Sequence, residues 1–136
     1  DEGFASMRTA LVSAFVIIPL QTVLPEELAF RGVLHSSLSK LGGFRVAVIA
    51  GSGLFGLWHV TSSLDMAAGN RGLTAVLGHG TFAQLIGIAL AVLATSFAGL
   101  AFTWLRHRSE SILAPMGLHW AFNGCGALAA AFAFQM

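Results

Sequence analysis

Two adjacent glutamates and a nearby arginine are the first residues in this 136-residue chain that could do chemistry. Glu26, Glu27 and Arg31 stand in an EExxxR pattern within an apolar region. Glu27 and Arg31 are four residues apart in the order that favours an ion pair on one helix face. This pair engages Glu27, so Glu26 is the better candidate for a general base, because a carboxylate in apolar surroundings binds a proton more readily. A purely structural network of the three side chains is the alternative.

Two histidines and an asparagine add further polar groups to apolar segments. His59 ends the run Phe55-Gly56-Leu57-Trp58-His59, and His119 precedes Asn123 by four residues. A lone histidine such as His59 is more often a hydrogen-bonded core residue than a ligand. His119 and Asn123 share one helix face, where they either hold a developing oxyanion or form an interhelical hydrogen bond worth about 0.6 to 2 kcal/mol.

One carboxylate and two histidines also suit a metal site. Glu26, His59 and His119 match the donor types of a catalytic zinc site with an open position, although an HExxH motif is absent. Zn²⁺ bound by these three residues is therefore one hypothesis. A glutamate mechanism without tightly bound zinc is the interpretation that we favour.

Long uncharged segments must position these residues. The chain is 56% hydrophobic and only 10% charged, with a mean hydropathy of +0.80. No Asp, Glu, Lys or Arg occurs in residues 46–64, 73–105 or 111–136, and residues 9–25 form a shorter uncharged run. Runs of about 18 residues or more can cross the hydrocarbon layer as helices. A net charge of +1 without a basic tract gives no basis for nucleic-acid binding.

The predicted fold class is all-α, a polytopic transmembrane bundle of about four spans with an intramembrane polar site. The bundle is predicted to be a single domain over residues 1–136, in the cell membrane. Pro19 and Pro25 are tolerated as kinks in the first helix, and Gly42 and Gly43 give a stop signal. The predicted segments are a first helix from about residue 5 to 39, helices over 45–64, 81–105 and about 111–134, and a loop or short interfacial segment over 65–80.

The three polar motifs in combination are specific enough to indicate a family. The sequence resembles the CPBP family of intramembrane proteases, which includes the CAAX prenyl endopeptidases and many bacterial immunity-associated membrane proteins. The resemblance covers roughly residues 25–124. It is carried by the segments Glu26-Glu27-Leu28-Ala29-Phe30-Arg31-Gly32, Phe55-Gly56-Leu57-Trp58-His59 and Ser111-Ile112-Leu113-Ala114-Pro115-Met116-Gly117-Leu118-His119, followed by Asn123.

The resemblance implies a role for each motif residue. Glu26 and His59 would activate a water, while His119 and Asn123 would stabilise the oxyanion of the tetrahedral intermediate. Glu27 and Arg31 would be supporting residues. Members of the family have more membrane spans than the four predicted here, so we expect this chain to hold the core helices without the peripheral ones.

The predicted function is that of an intramembrane endopeptidase that hydrolyses a peptide bond with a Glu/His-activated water. Its partners would be membrane lipid and a peptide substrate, either a prenylated CAAX-type peptide or another membrane protein. Two alternatives from another class are a non-catalytic membrane scaffold or immunity protein and a proton-linked transport subunit. The second alternative arises because intramembrane Glu and His side chains also build proton relays.

Overall fold

The described part of the chain is helical. A computed structural model describes residues 6–69, 78 and 80–133, and these residues contain no strand. The elements, in chain order, are α1 (Met7–Val12), a π-helical segment (Ser13–Val23), α2 (Leu24–Glu27), a second π-helical segment (Leu28–Leu34), α3 (His35–Trp58), α4 (Val60–Gly69), α5 (Thr81–Ser109) and α6 (Leu113–Ala133). The predicted all-α class is confirmed.

Two helical runs in the described residues are long and apolar enough to cross a membrane. They are Met7–Trp58, with a mean hydropathy of 1.6, and Thr81–Ser109, with a mean hydropathy of 2.3. These runs cover most of the first three predicted spans. The 21-residue helix α6 is not one of them, and its polar His119 and Asn123 lower its hydropathy. The bundle of four spans stays a prediction.

A sharp break divides the first long run at two glycines. Gly42 has φ −145° and ψ 15°, and Gly43 has φ 74° and ψ −174°, both outside the helical region. The positive φ of Gly43 suits glycine, because a Cβ would strain the backbone there. The predicted stop at this pair is therefore confirmed, and helix resumes directly after it.

His59 interrupts the helix that was predicted over 45–64. Its amide donates to the Gly56 carbonyl at 3.1 Å, a three-residue step that tightens the last turn of α3. The His59 carbonyl then accepts the hydroxyls of Ser62 at 3.1 Å and Ser63 at 2.5 Å. The prediction of one continuous helix was wrong here, since local hydrogen bonds close one helix and start the next.

The other predicted boundaries shift by a few residues. Helix α4 continues to Gly69, into the segment expected to be a loop over 65–80, and the rest of that prediction falls largely on residues 70–77 and 79, which lie outside the described residues. Helix α5 runs past the expected end at residue 105 to Ser109, and its last turn carries basic side chains that suit the negative end of the helix dipole. Helix α6 begins close to its expected start.

The chain divides into two compact units. One comprises the chain up to Leu34 together with the chain from Trp104, and the other is His35–Thr103. In the first unit, the buried core is made largely of small residues, which let helices approach closely: Ala10, Ala14, Ala127 and Ala131. The single domain over residues 1–136 stays a prediction.

In the second unit, α3 and α5 pack through a glycine and two aromatic rings. A Cβ on Gly56 would come 2.6 Å from the Val92 carbonyl oxygen, so this contact requires glycine. Phe55 and Phe102 meet edge to face at 6.0 Å between ring centroids. The glycine and the phenylalanine of the predicted FxxxH motif thus pack α3, which accounts for their presence beside His59.

In the first unit, a tryptophan on α6 replaces a backbone hydrogen bond that the first π-helical segment lacks. In a π-helix, each carbonyl accepts from the amide five residues later. The partner of the Ala14 carbonyl would be Pro19, which has no N–H. Trp120 Nε1 donates to the Ala14 carbonyl at 2.7 Å instead, and its ring lies 5.6 Å from that of Phe15. Trp120 therefore anchors α6 against the first π-helical segment.

We expect Trp120→Phe to lower the free energy of unfolding by about 1 to 3 kcal/mol, because the buried Ala14 carbonyl loses its donor while most of the ring packing remains. Thermal unfolding in detergent measures the effect. Trp104→Phe is the matched control, since Trp104 is 59% exposed. Equal melting temperatures for the two variants would contradict an anchoring hydrogen bond.

Candidate active site

The first unit brings four ionisable side chains together. Glu26 and Glu27 lie on α2, Arg31 lies on the second π-helical segment, and His119 lies on α6. We call these four residues the Glu–His cluster. Two π-helical segments flank α2 directly, Ser13–Val23 before it and Leu28–Leu34 after it. Such segments are rare and occur often at functional sites.

Glu27 and Arg31 form the predicted ion pair. Arg31 Nη1 donates to Glu27 Oε1 at 2.9 Å, and the two residues are 0% and 1% exposed. Burying either ion without the other would carry a large desolvation cost. Mutual attraction and hydrogen bonding within the pair offset that cost. Their position in the sequence, four residues apart, brings them to one face.

His119 lies between the two glutamates. Its Nδ1 is 2.9 Å from Glu27 Oε1, and its Nε2 is 3.8 Å from Glu26 Oε2. One oxygen of Glu27 therefore contacts both Arg31 and His119. His119 is 4% exposed, whereas the Glu26 side chain is 15% exposed. Glu26 is thus the carboxylate of the cluster that is more accessible from outside.

The charges in the Glu–His cluster nearly balance. The two glutamates and Arg31 leave one net negative charge when His119 is neutral, and a proton on His119 would cancel it. In a buried site, a balanced set of charges avoids the cost of an isolated ion. A proton on His119 would thus bring the net charge of the cluster to zero.

Asn123 follows His119 by one turn of α6 and is half-buried. Its amide makes no hydrogen bond to another described residue. A carboxamide with donors still available can bind a substrate oxygen, as the oxyanion assignment requires. The structure thus places His119 in the Glu–His cluster and Asn123 beside it in sequence, outside its hydrogen bonds.

His59 belongs to the second unit and has its own local contacts. Its Nδ1 lies 2.7 Å from the Phe55 carbonyl oxygen, and its ring meets that of Phe55 at 4.7 Å between centroids. Because a carbonyl only accepts, Nδ1 carries the hydrogen, and in the neutral ring Nε2 carries the lone pair. That tautomer suits a base. The joint action of His59 with Glu26 stays a prediction.

The zinc hypothesis finds no ligand set in the described residues. Across residues 6–69, 78 and 80–133, no three or more His, Cys, Asp and Glu side chains form a group that could hold a metal ion. Glu26 and His119 lie in the first unit and His59 in the second. Zn²⁺ bound jointly by Glu26, His59 and His119 stays a hypothesis.

The contact between His119 and Glu27 is the feature that the sequence did not indicate. The two residues are 92 positions apart, and motif spacing relates only neighbours on one helix. The sequence paired His119 with Asn123 as an oxyanion donor and gave Glu27 a supporting role. No local signal could have identified Glu27 as the partner of the His119 ring.

We expect Arg31→Ala to destabilise the protein by about 3 to 5 kcal/mol, because it removes the cation from a fully buried carboxylate. Activity should fall as well. The melting temperature in detergent measures the loss, and Arg108→Ala is the matched control, since Arg108 is exposed in the last turn of α5. An Arg31→Ala protein as stable as the control would show that the pair does not hold the fold.

Comparison with known protein families matches residues 8–125 to Rce1-like, described as type II CAAX prenyl endopeptidase Rce1-like. The match includes all of the predicted site residues. Comparisons with curated proteins and with solved structures gave no match.

Proposed function

This chain belongs to the Rce1-like family of type II CAAX prenyl endopeptidases, and from this premise we propose that it hydrolyses a peptide bond with a water activated by Glu26. Members of the family are CAAX-type intramembrane proteases and membrane proteins. The two long apolar helical runs fit that setting. The resemblance found in the sequence is thus confirmed at the level of the family.

The observation that carries the proposal is the position of Glu26 beside a buried histidine, His119. Glu26 is partly accessible and its Oε2 lies 3.8 Å from His119 Nε2, while Glu27, which is paired with Arg31, contacts Nδ1 on the other side of the ring. An accessible carboxylate beside a fixed imidazole can take a proton from water and pass it on. We assign Glu26 as the general base. That His59 joins it in activating the water is what the family resemblance implies.

His119 and Asn123 are proposed to stabilise the oxyanion. Attack on the scissile carbonyl places negative charge on its oxygen, and two donors fixed in a low-dielectric site stabilise that charge. The amide of Asn123 and, once it is protonated, Nε2 of His119 would supply those donors. Glu27 and Arg31 support this arrangement.

Water attacks the peptide directly in this proposal, without an acyl-enzyme. The chain has one cysteine, Cys125, and it is exposed, so it lies outside the buried cluster. A thiol nucleophile needs a base within hydrogen-bond reach. The carboxylate of Glu26, rather than Cys125, has a histidine at close range.

The proposed substrate is a peptide that reaches the site from the membrane. A prenylated CAAX-type C-terminus would carry its own apolar anchor into the lipid, and another membrane protein would present a segment already there. The cell membrane is the proposed location, with several spans. The sequence motifs do not distinguish the two substrates, so both belong in the test.

The test is cleavage of a peptide panel by the purified chain in detergent. Matched CAAX-type peptides with and without a prenyl group, and one transmembrane peptide, are incubated with the chain and with its Glu26→Gln variant. We expect the wild-type chain, and not the Glu26→Gln variant, to cleave the prenylated peptide. A chelator should leave this cleavage unchanged. Absence of cleavage throughout the panel would favour the scaffold or proton-transport alternative, and loss on chelation would restore the metal hypothesis.

A further inference from the structure

The contact between His119 and Glu27 determines which nitrogen of His119 carries a proton. Glu27 Oε1 lies 2.9 Å from His119 Nδ1 and 2.9 Å from Arg31 Nη1. The Glu27 oxygen that accepts from the Arg31 guanidinium is a carboxylate oxygen, and a carboxylate only accepts hydrogen bonds. Nδ1 must therefore carry a hydrogen. In the neutral ring, Nε2 then has the lone pair.

This tautomer limits how His119 can stabilise an oxyanion. A ring protonated only at Nδ1 has no hydrogen to donate from Nε2. Nε2 becomes a donor when it receives a second proton and the ring becomes an imidazolium. The carboxylate at that nitrogen is Glu26, with its Oε2 3.8 Å away. Glu26 is also the proposed base, so it holds the proton that His119 needs.

We propose that His119 carries the proton from Glu26 to the leaving amine, and that Glu27 is the positioning residue that prepares it for this task. This inference rests on the proposed function and assigns a step that the family resemblance does not contain. Glu27 fixes the ring by its hydrogen bond to Nδ1, and its negative charge stabilises the imidazolium. Arg31 holds Glu27 in place through its hydrogen bond to Oε1.

Hydrolysis of the peptide bond then takes two steps, in which every proton and electron pair is accounted for. In the first step, the water oxygen forms a bond to the peptide carbonyl carbon, and the carbonyl π pair moves to the carbonyl oxygen. One water O–H bond breaks at the same time, and its proton passes to Glu26 and then to His119 Nε2. In the second, the oxyanion pair forms the C=O bond again, the C–N bond breaks, and the Nε2 proton goes to the leaving nitrogen. Glu26 and His119 return to their starting states.

The distances are consistent with this transfer. The 3.8 Å between Glu26 Oε2 and His119 Nε2 is longer than a hydrogen bond, and catalytic hydrogen bonds often shorten only when substrate is bound. The 2.9 Å contact to Glu27 is already at hydrogen-bond length. The positioning contact thus exists before the reaction, while the transferring contact forms during it.

The first test is Glu27→Gln, which keeps the size of the side chain and removes its charge. With the prenylated CAAX-type peptide as substrate, we expect kcat to fall by about 100-fold or more, the effect of removing a partner that orients a histidine, with KM nearly unchanged. Glu110→Gln is the matched control because Glu110 is exposed. A Glu27→Gln protein that is folded and retains wild-type kcat would overturn the inference.

The second test separates positioning from stability. Glu27→Gln leaves Arg31 as a buried cation without its carboxylate, so the single variant could unfold. The double variant Glu27→Gln with Arg31→Met removes both charges, and replacing both members of a buried pair often restores stability. We expect the double variant to regain the wild-type melting temperature while kcat stays about 100-fold low. Recovery of kcat together with stability would assign the pair a structural role only.

The third test does not depend on proteolysis. Nitrogen-15 NMR of the detergent-solubilised chain reports which imidazole nitrogen carries hydrogen, with His119→Gln used to assign the His119 signals. We expect the neutral His119 ring to be protonated at Nδ1. A neutral ring protonated at Nε2 would refute the positioning by Glu27, whether or not the chain cleaves peptides. A ring protonated at Nδ1 in a chain that cleaves no peptide would refute the proposed function and leave the positioning intact.

Discussion

Replacing Glu26 with Gln is expected to lower kcat by about 10,000-fold, the upper end of the effect of a general acid or base. Glutamine keeps the volume of the side chain but cannot take a proton from water. Glu26 is also the carboxylate at the Nε2 side of His119, at 3.8 Å, so the same substitution removes the source of the proton that His119 carries. Both effects act on the chemical step.

The measurement is kcat for the prenylated CAAX-type peptide, with thermal unfolding of the same preparation as a check on folding. Glu26 is partly exposed, so the neutral amide should be tolerated and the melting temperature should stay close to wild type. Glu110→Gln again serves as the matched substitution at an exposed site. Turnover within tenfold of wild type in a folded Glu26→Gln protein would remove Glu26 from the mechanism.

Asn123→Ala is expected to reduce kcat by about 100-fold to 1,000-fold, the range for loss of one oxyanion donor. The amide of Asn123 makes no hydrogen bond to another described residue, so its removal should leave the packing of α6 intact. Substrate affinity should change little, because the oxyanion exists only along the reaction path. A rise in KM with normal kcat would show instead that Asn123 binds the ground state.

His119→Ala should be at least as damaging as Asn123→Ala, because His119 both stabilises the oxyanion and carries the proton. The double variant should lose less than the product of the two single effects, since both donors serve one oxygen. His107→Ala is the control, because His107 is exposed on α5. Reduced thermal stability with normal turnover in the folded fraction would identify His119 as a packing residue.

The sequence by itself determined the all-α class, the ion pair of Glu27 with Arg31 and the helix break at Gly42 and Gly43. Long uncharged runs predict helices in a membrane because charge in hydrocarbon is costly, and the described residues are helical. The spacing of Glu27 and Arg31 predicted their ion pair, since residues four apart meet on one helix face. The stop at Gly42 and Gly43 followed from the backbone freedom of glycine. Each of these inferences depends on residues that are close in the chain.

The sequence did not predict the helix break and the π-helical segments, which depend on the local hydrogen bonding of the backbone. The break at His59 depends on hydrogen bonds to serine hydroxyls, which compete with a continuous helix only in a particular local geometry. The π-helical segments Ser13–Val23 and Leu28–Leu34 also change the helical register around α2. A pattern read with 3.6 residues per turn cannot predict such a change.

Only the tertiary structure decided the partners of His119 and Trp120. Glu27 and His119 are 92 positions apart, and Ala14 and Trp120 are 106 apart. Many helix arrangements satisfy the same apolar pattern, because lipid and apolar side chains solvate a helix face about equally well. What selects one arrangement is the need of buried polar groups for partners: the Ala14 carbonyl opposite Pro19 needs a donor, and the Glu27 carboxylate needs cations or N–H groups around it. Both requirements are met where α6 packs against α2 and the first π-helical segment.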